Sequence, residues 1–196
     1  MSDKLVLDRA GTALVMMDFQ NEILSGMAVP AREQLLANAA AVLKRARQLQ
    51  LPVVHITVQF EDGYPEVNMR NKSFSGMKAA GRLKKGSAGA QIAAAVAPIE
   101  GEAVLAKCRV GAFSTTPLAT LLGARNATHL VLAGYATSGC VLSTVRWAAD
   151  MDYQLTVVAD ACADGDEDVH RVLMQKVFPR QAAVVNATAF AQVQAM

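Results

Sequence analysis

Six short apolar runs recur along the chain, and stretches with helical spacing lie between them. The runs are Ala13–Met17, Val53–Val58, Ala103–Ala106, Leu130–Ala133, Leu155–Ala159 and Ala183–Val185. Apolar runs without polar alternation belong to strands covered on both faces, as in parallel sheets. The intervening stretches predict helices over Arg32–Gln50, Ala88–Val96, Thr116–Leu122, Gly139–Met151 and Glu167–Val177. The first carries apolar Leu35, Leu36, Ala39, Val42, Leu43 and Leu49 before Pro52 ends it. Pro117 after Thr116 suits a helix start. Such alternation predicts an α/β fold: a three-layer α/β/α sandwich around a mostly parallel six-stranded sheet. A length of 196 residues fits a single domain over residues 1–196 with a full core.

Aromatic residues make up only 5%, so the core is built from Ala, Val and Leu. A net charge of +2 without a basic stripe argues against nucleic-acid binding. No stretch reads as a signal core or a membrane span, so the expected location is cytoplasmic, with no membrane partner. The expected partners are a small-molecule substrate and further copies of the chain, because Ala-rich apolar helices suit a homo-oligomer (dimer or tetramer). Three cysteines, Cys108, Cys140 and Cys162, are too few and too widely spaced for a disulfide framework or a Cys-x-x-Cys zinc site. Cys108 and Cys162 are expected as small buried hydrophobes.

Residues 61–86 break the alternation with Gly63, Pro65, Gly76, Gly81 and Gly86. The same stretch carries Arg70, Lys72, Lys78, Arg82, Lys84 and Lys85. A loop of this length is either a lid or a solvated or subunit-contacting excursion. Over a site, its positive charge would suit an acidic substrate.

Residues Leu130–Val141 read as a strand, a tight turn of small residues, a cysteine and a helix. Cys140 is therefore expected at a helix start, where the dipole and open N–H groups favour an anion and ease thiol ionisation. In open parallel sheets, ligands bind outside the carboxyl ends of the strands. Asp18, Lys107 and Cys140 all fall at such ends. Together they offer a nucleophile, a cation to stabilise a thiolate and a carboxylate to shuttle its proton. His55, inside a strand, is expected as a satisfied core histidine. His129 lies at the wrong end of its strand, and His170 is expected to face solvent.

With this order of residues, four segments resemble the isochorismatase-like cysteine hydrolases, which include N-carbamoylsarcosine amidase and nicotinamidase. They are Met17-Asp18-Phe19-Gln20-Asn21, Lys85-Gly86-Ser87-Ala88-Gly89-Ala90, Lys107-Cys108-Arg109 with Ala112-Phe113-Ser114, and Gly134-Tyr135-Ala136-Thr137-Ser138-Gly139-Cys140-Val141. The resemblance spans nearly the whole chain. It implies Cys140 as nucleophile, Asp18 as general base and then acid, and Lys107 as the thiolate's partner. It also implies a cis peptide bond entering Ala136, and an oxyanion hole made by the N–H groups of Ala136 and Cys140.

Nicotinamidases hold a metal through an Asp-x-His pair and a further histidine after the second strand. Here Gln59-Phe60-Glu61-Asp62-Gly63-Tyr64-Pro65 has no histidine. The expectation is therefore no metal, no organic cofactor and no nicotinamidase activity. Keeping Cys140 favours hydrolysis of a C–N bond in a small amide or ureido compound. The alternatives are ether hydrolysis of the isochorismatase type and ligand binding without turnover. Phe19, Gln20, Phe60, Phe113 and Tyr135 are the candidate substrate-binding residues. Trp147 is expected in the core, and Thr137 and Ser138 as braces of the turn. Asp160, Asp164, Asp166, Glu167 and Asp168 are expected as helix-capping acids.

Overall fold

The computed structural model describes residues 6–195. Its main sheet contains β2 (Thr12–Met17), β3 (Val53–Val58), β4 (Ala103–Lys107), β5 (His129–Tyr135), β6 (Gln154–Ala163) and β7 (Ala183–Val185). The spatial order is β4-β3-β2-β5-β6-β7, and every adjacent pair is parallel. All the predicted strands are present, and the sheet is parallel throughout. A separate two-stranded ribbon, absent from the sequence reading, joins β1 (Val6–Leu7) to β8 (Gln194–Ala195).

Successive strands run outward from β2 in one direction and outward from β5 in the other. The topological switch therefore lies between β2 and β5, with Met17 paired to Gly134 at their carboxyl ends. That crevice is where an open parallel sheet receives its ligand.

Alternating side chains of β2 supply the two core layers. Leu14 and Met16 pack beneath α2 (Val29–Gln48) and α7 (Ala187–Ala191). Ala13, Val15 and Met17 face α4 (Leu118–Ala124) and α5 (Leu142–Asp150). The helix α2 buries Leu35, Ala39, Val42, Leu43 and Ala46. It begins before the expected Arg32 because Pro30, with no N–H to lose, is tolerated in a first turn. It closes where Gln50 turns left-handed at φ 57° and the Leu51 N–H donates to the Ala46 carbonyl.

Two expectations fail for tertiary reasons. Ala88–Val96 is not a helix; only Ala94–Val96 forms a 3₁₀ turn. The N–H groups of Asn21 and Glu22 in α1 (Asn21–Leu24) donate to the carbonyls of Gln91 and Gly89, and Ala93 N–H donates to Phe19. Pairing with the chain after β2 thus outweighs alanine's helical preference. Conversely, residues 61–86 are not a plain loop. They contain α3 (Lys72–Ala79), capped by the Asn71 side chain, which accepts from the Phe74 N–H at 3.1 Å. The helix predicted over Glu167–Val177 is α6 (Glu167–Val172) continued by a π-helical turn at Leu173–Val177.

Glu102, just before β4, ties the layers together at the amino ends of the strands. It accepts from Arg47 of α2 at 2.8 and 2.9 Å, sits 2.9 Å from His55 Nε2 and accepts from the Ile99 N–H at 3.1 Å. Burial pushes this carboxyl up, but the bonds from Arg47, Ile99 and His55 outweigh it and hold the pKa at about 2. A depressed carboxylate stabilises the fold above its ordinary value of 4.5 and loses that contribution as pH falls toward about 2. Thermal melts of the wild type across that window should include about 2 kcal/mol of acid-dependent loss from Glu102. Glu102→Gln should melt lower at pH 7 with a flatter acid limb; equal slopes in both proteins would discard the assignment.

Candidate active site

Asp18 follows β2 directly, in the left-handed region at φ 60°, which aspartate tolerates better than most residues. Its N–H donates to the Ile56 carbonyl at 2.9 Å. The chain there leaves the sheet and carries the carboxylate over the strand ends. Lys107 is the last residue of β4, two strands away. Its long stem crosses the end of β3, and Nζ donates to Asp18 Oδ2 at 2.7 Å with both side chains buried. Asp18 Oδ1 is buried and has no hydrogen-bond partner among the described residues.

Cys140 lies in a π-helical turn, Thr137–Val141, between β5 and α5. The Tyr135–Ala136 bond entering it is cis. The Ala136 carbonyl accepts from the N–H groups of Gly139 and Val141, with Cys140 Sγ 3.7 Å away. Immediately upstream, a Cβ on Gly134 would stand 2.7 Å from the Met17 carbonyl oxygen, so only glycine allows β5 this close to β2.

The turn is held from outside. Thr137 Oγ1 pairs with His170 Nδ1 at 2.8 Å, and the Ser138 N–H donates to Asp164 Oδ2 at 2.6 Å. The predicted bracing by Thr137 and Ser138 is therefore present, but two other expectations change. His170 is half-buried against the turn rather than solvent-facing, and Asp164 grips the turn rather than capping a helix. Asp166 does cap α6, and Asp160 accepts from Ala187 N–H at the start of α7.

Asp18, Lys107 and Cys140 meet in one cavity of about 270 Å³. Phe74, Met77, Arg82 and Leu83 of residues 61–86 wall it, so this segment covers the site. Tyr135 also lines the cavity. The other substrate-binding candidates are placed elsewhere. Phe19, thrown to the opposite face by the left-handed turn at Asp18, joins the core beneath α2. Gln20 is fully buried; its amide donates to the Val58 and Ala90 carbonyls and accepts from the Val58 N–H. Phe60 packs on Tyr64 and Phe74 under the segment. Phe113 stacks on Trp147 beside a neighbouring cavity. Trp147 itself is 49% exposed and not a core residue. Phe74 is the aromatic wall residue that sequence reasoning missed, along with the aliphatic Ile23, Val58, Met77, Leu83 and Val110; the only trace of Phe74 was Asn71, three residues before it, as a helix cap.

Burial reverses the expectation for the thiol. Cys140 is 3% exposed, and desolvation pushes its pKa well above the ordinary value, with the Asp18 charge adding to the rise and Lys107 opposing it. Cys140 does lie at a helix start, in the π-helical turn that runs directly into α5, but there burial is the largest influence on the thiol. Asp18 is likewise pushed up by burial, against the pull of Lys107. Burial and the neighbouring Asp18 charge therefore favour the thiol over the thiolate, in the cavity that also holds the Asp18 carboxyl.

Cys162 lies within β6, is buried as expected, and is pushed to about 12 by burial. Cys108 is partly exposed just past β4, not fully buried as expected. His55 is paired with Glu102, and His129 with Thr156 at 2.9 Å. The acids after β3 are engaged, Glu61 with Lys85 at 2.6 Å and Asp62 with Lys84 at 2.7 Å. Among the described residues, no three His, Cys, Asp or Glu side chains converge as metal ligands. No helix among them is long and apolar enough to cross a membrane.

Comparison with known proteins adds four findings. Residues 12–189 match the family model described as the isochorismatase domain. A ureidoacrylate amidohydrolase of Methylobacterium radiotolerans is 30% identical over 196 residues, covering 89% of this chain and 76% of that protein. The crystal structure of an N-carbamoylsarcosine amidase from Thermoplasma acidophilum aligns with a TM-score of 0.74 at 28% identity, covering 90% of this chain and 96% of that one. An isochorismatase family protein from Desulfovibrio vulgaris aligns at 0.83 with 27% identity, over 91% and 95% of the two chains.

Proposed function

This chain belongs to the isochorismatase family, and from that membership we propose that it is an amidohydrolase acting through Cys140 on a C–N bond of a small amide or ureido compound. Asp18 takes the thiol proton through Oδ1 as sulfur attacks the carbonyl carbon. Lys107 holds Asp18 in place and lowers the cost of the transient thiolate. The N–H groups of Ala136 and Cys140 stabilise the oxyanion. Asp18 then returns the proton to the departing nitrogen, which leaves as ammonia or an amine. Water deprotonated by Asp18 hydrolyses the thioester and frees Cys140.

The observation that carries this reading is the Asp18 carboxylate: Oδ2 is bound by Lys107, while buried Oδ1 is left open in the cavity that holds the thiol. The relatives named for ureidoacrylate and N-carbamoylsarcosine support the choice of a C–N bond. Ether hydrolysis would need no acyl acceptor.

A panel of amides and carbamoyl compounds, assayed for ammonia or amine release with acid-quenched intact-mass spectra, tests the proposal. The expected result is release together with an acyl adduct on the peptide that contains Cys140. Turnover of a vinyl ether without nitrogen release would overturn it.

A further inference from the structure

We propose that Arg82 reads a negative charge at the far end of the ligand, so that this cavity prefers amides or ureido compounds carrying a carboxylate. The proposal rests on the cavity around Cys140 being the substrate site. Residues 61–86 hold six cations, of which three are spent within the segment. Lys84 pairs with Asp62, Lys85 with Glu61, and Lys78 Nζ donates to the Tyr64 carbonyl. Of the six, Arg82 alone lines the cavity. The cavity's other cation, Lys107, is committed to Asp18.

The Arg82 guanidinium is held by two donations, from Nε to Glu22 Oε1 at 2.9 Å and from Nη2 to the Glu22 carbonyl at 3.0 Å. Glu22 is itself fixed, its Oε2 accepting from the Leu83 N–H at 2.9 Å. Nη1 has no hydrogen-bond partner among the described residues. The fork is therefore oriented in advance with one donor edge uncommitted. Around it the wall is apolar, with Ile23, Val58, Phe74, Met77 and Val110. A carboxylate entering such a wall loses its hydration and needs a charged donor to replace it. A neutral amide has no such requirement. Glu22 tempers the attraction by partly neutralising Arg82, and removing its charge should strengthen binding of an anion.

The test is calorimetric titration of the Cys140→Ala protein, which leaves the ligand intact, with N-carbamoylglycine and with its neutral primary amide. The acid should bind at least tenfold more tightly. Adding Arg82→Met should weaken the acid at least tenfold while changing the amide less than threefold. Adding Glu22→Gln should tighten the acid about threefold without moving the amide. If Arg82→Met fails to fold, as judged by circular dichroism, the neutral Arg82→Gln replaces it, and loss of the acid's advantage is again the expected result. Equal binding of the two ligands, no binding of either, or a preference that survives Arg82→Met overturns the proposal. Because binding is read without the nucleophile, failure of the hydrolytic reading would appear separately, as absence of ammonia release by the wild type.

Discussion

Asp18→Asn should lower kcat by about 10³-fold or more while making Cys140 easier to alkylate. Both effects follow from one carboxylate. Without it, no base faces the thiol and no acid protonates the leaving nitrogen. The same charge, however, helps to hold the Cys140 pKa up, and Lys107 opposes it. Removing the anion leaves the ammonium unopposed beside sulfur. The thiol pKa then falls, and at fixed pH the thiolate fraction rises. Asparagine preserves the size of the side chain and tolerates the left-handed φ of 60° at this position. Iodoacetamide labelling at pH 8, followed by peptide mass spectrometry, should therefore show faster modification of Cys140 in the variant than in the wild type. Labelling that slows together with turnover would mean that the site had collapsed, and the assignment of Asp18 as the base would lose its support.

The second large effect is expected at the nucleophile. Cys140→Ser should reduce kcat by about 10³-fold or more. Serine is smaller by little, and the wild-type Sγ makes only a long contact, 3.7 Å to the Ala136 carbonyl. The melting temperature should stay within about 3 °C of the wild type. The loss is chemical: a hydroxyl holds its proton far more strongly than a thiol, and a carboxylate is a weak base for removing it. Ammonia release measured beside a thermal melt separates chemistry from stability. Activity above a tenth of wild type in a folded Cys140→Ser protein would point to direct attack by water and away from a thioester.

Much of the architecture was legible because a strand covered on both faces has to be apolar along its length. Leu14, Val54, Val131 and Val157 announced their strands in this way, and all four are buried. Asp18 and Lys107 were legible for the complementary reason: each is the first ionisable residue after an apolar strand run, at the carboxyl end where ligands collect; β4 proves to be an edge strand with Val104 exposed rather than a covered one. Other parts were not legible. Alanines over Ala88–Val96 favour a helix locally, but the chain after β2 claims their backbone partners. Gly76 within α3 disguised a helix that rests on the Asn71 cap and the burial of Phe74.

From the sequence alone came the parallel sheet and the meeting of Asp18, Lys107 and Cys140 above it, because strand composition and strand-end position are properties of the linear chain. The tertiary structure alone decided which aromatic residues wall the cavity, since a left-handed turn at Asp18 sends Phe19 away while α3 brings Phe74 in. It also decided the resting state of the thiol. Ionisation depends on depth below the surface and on charges contributed by other strands, and neither can be read from a residue's neighbours along the chain.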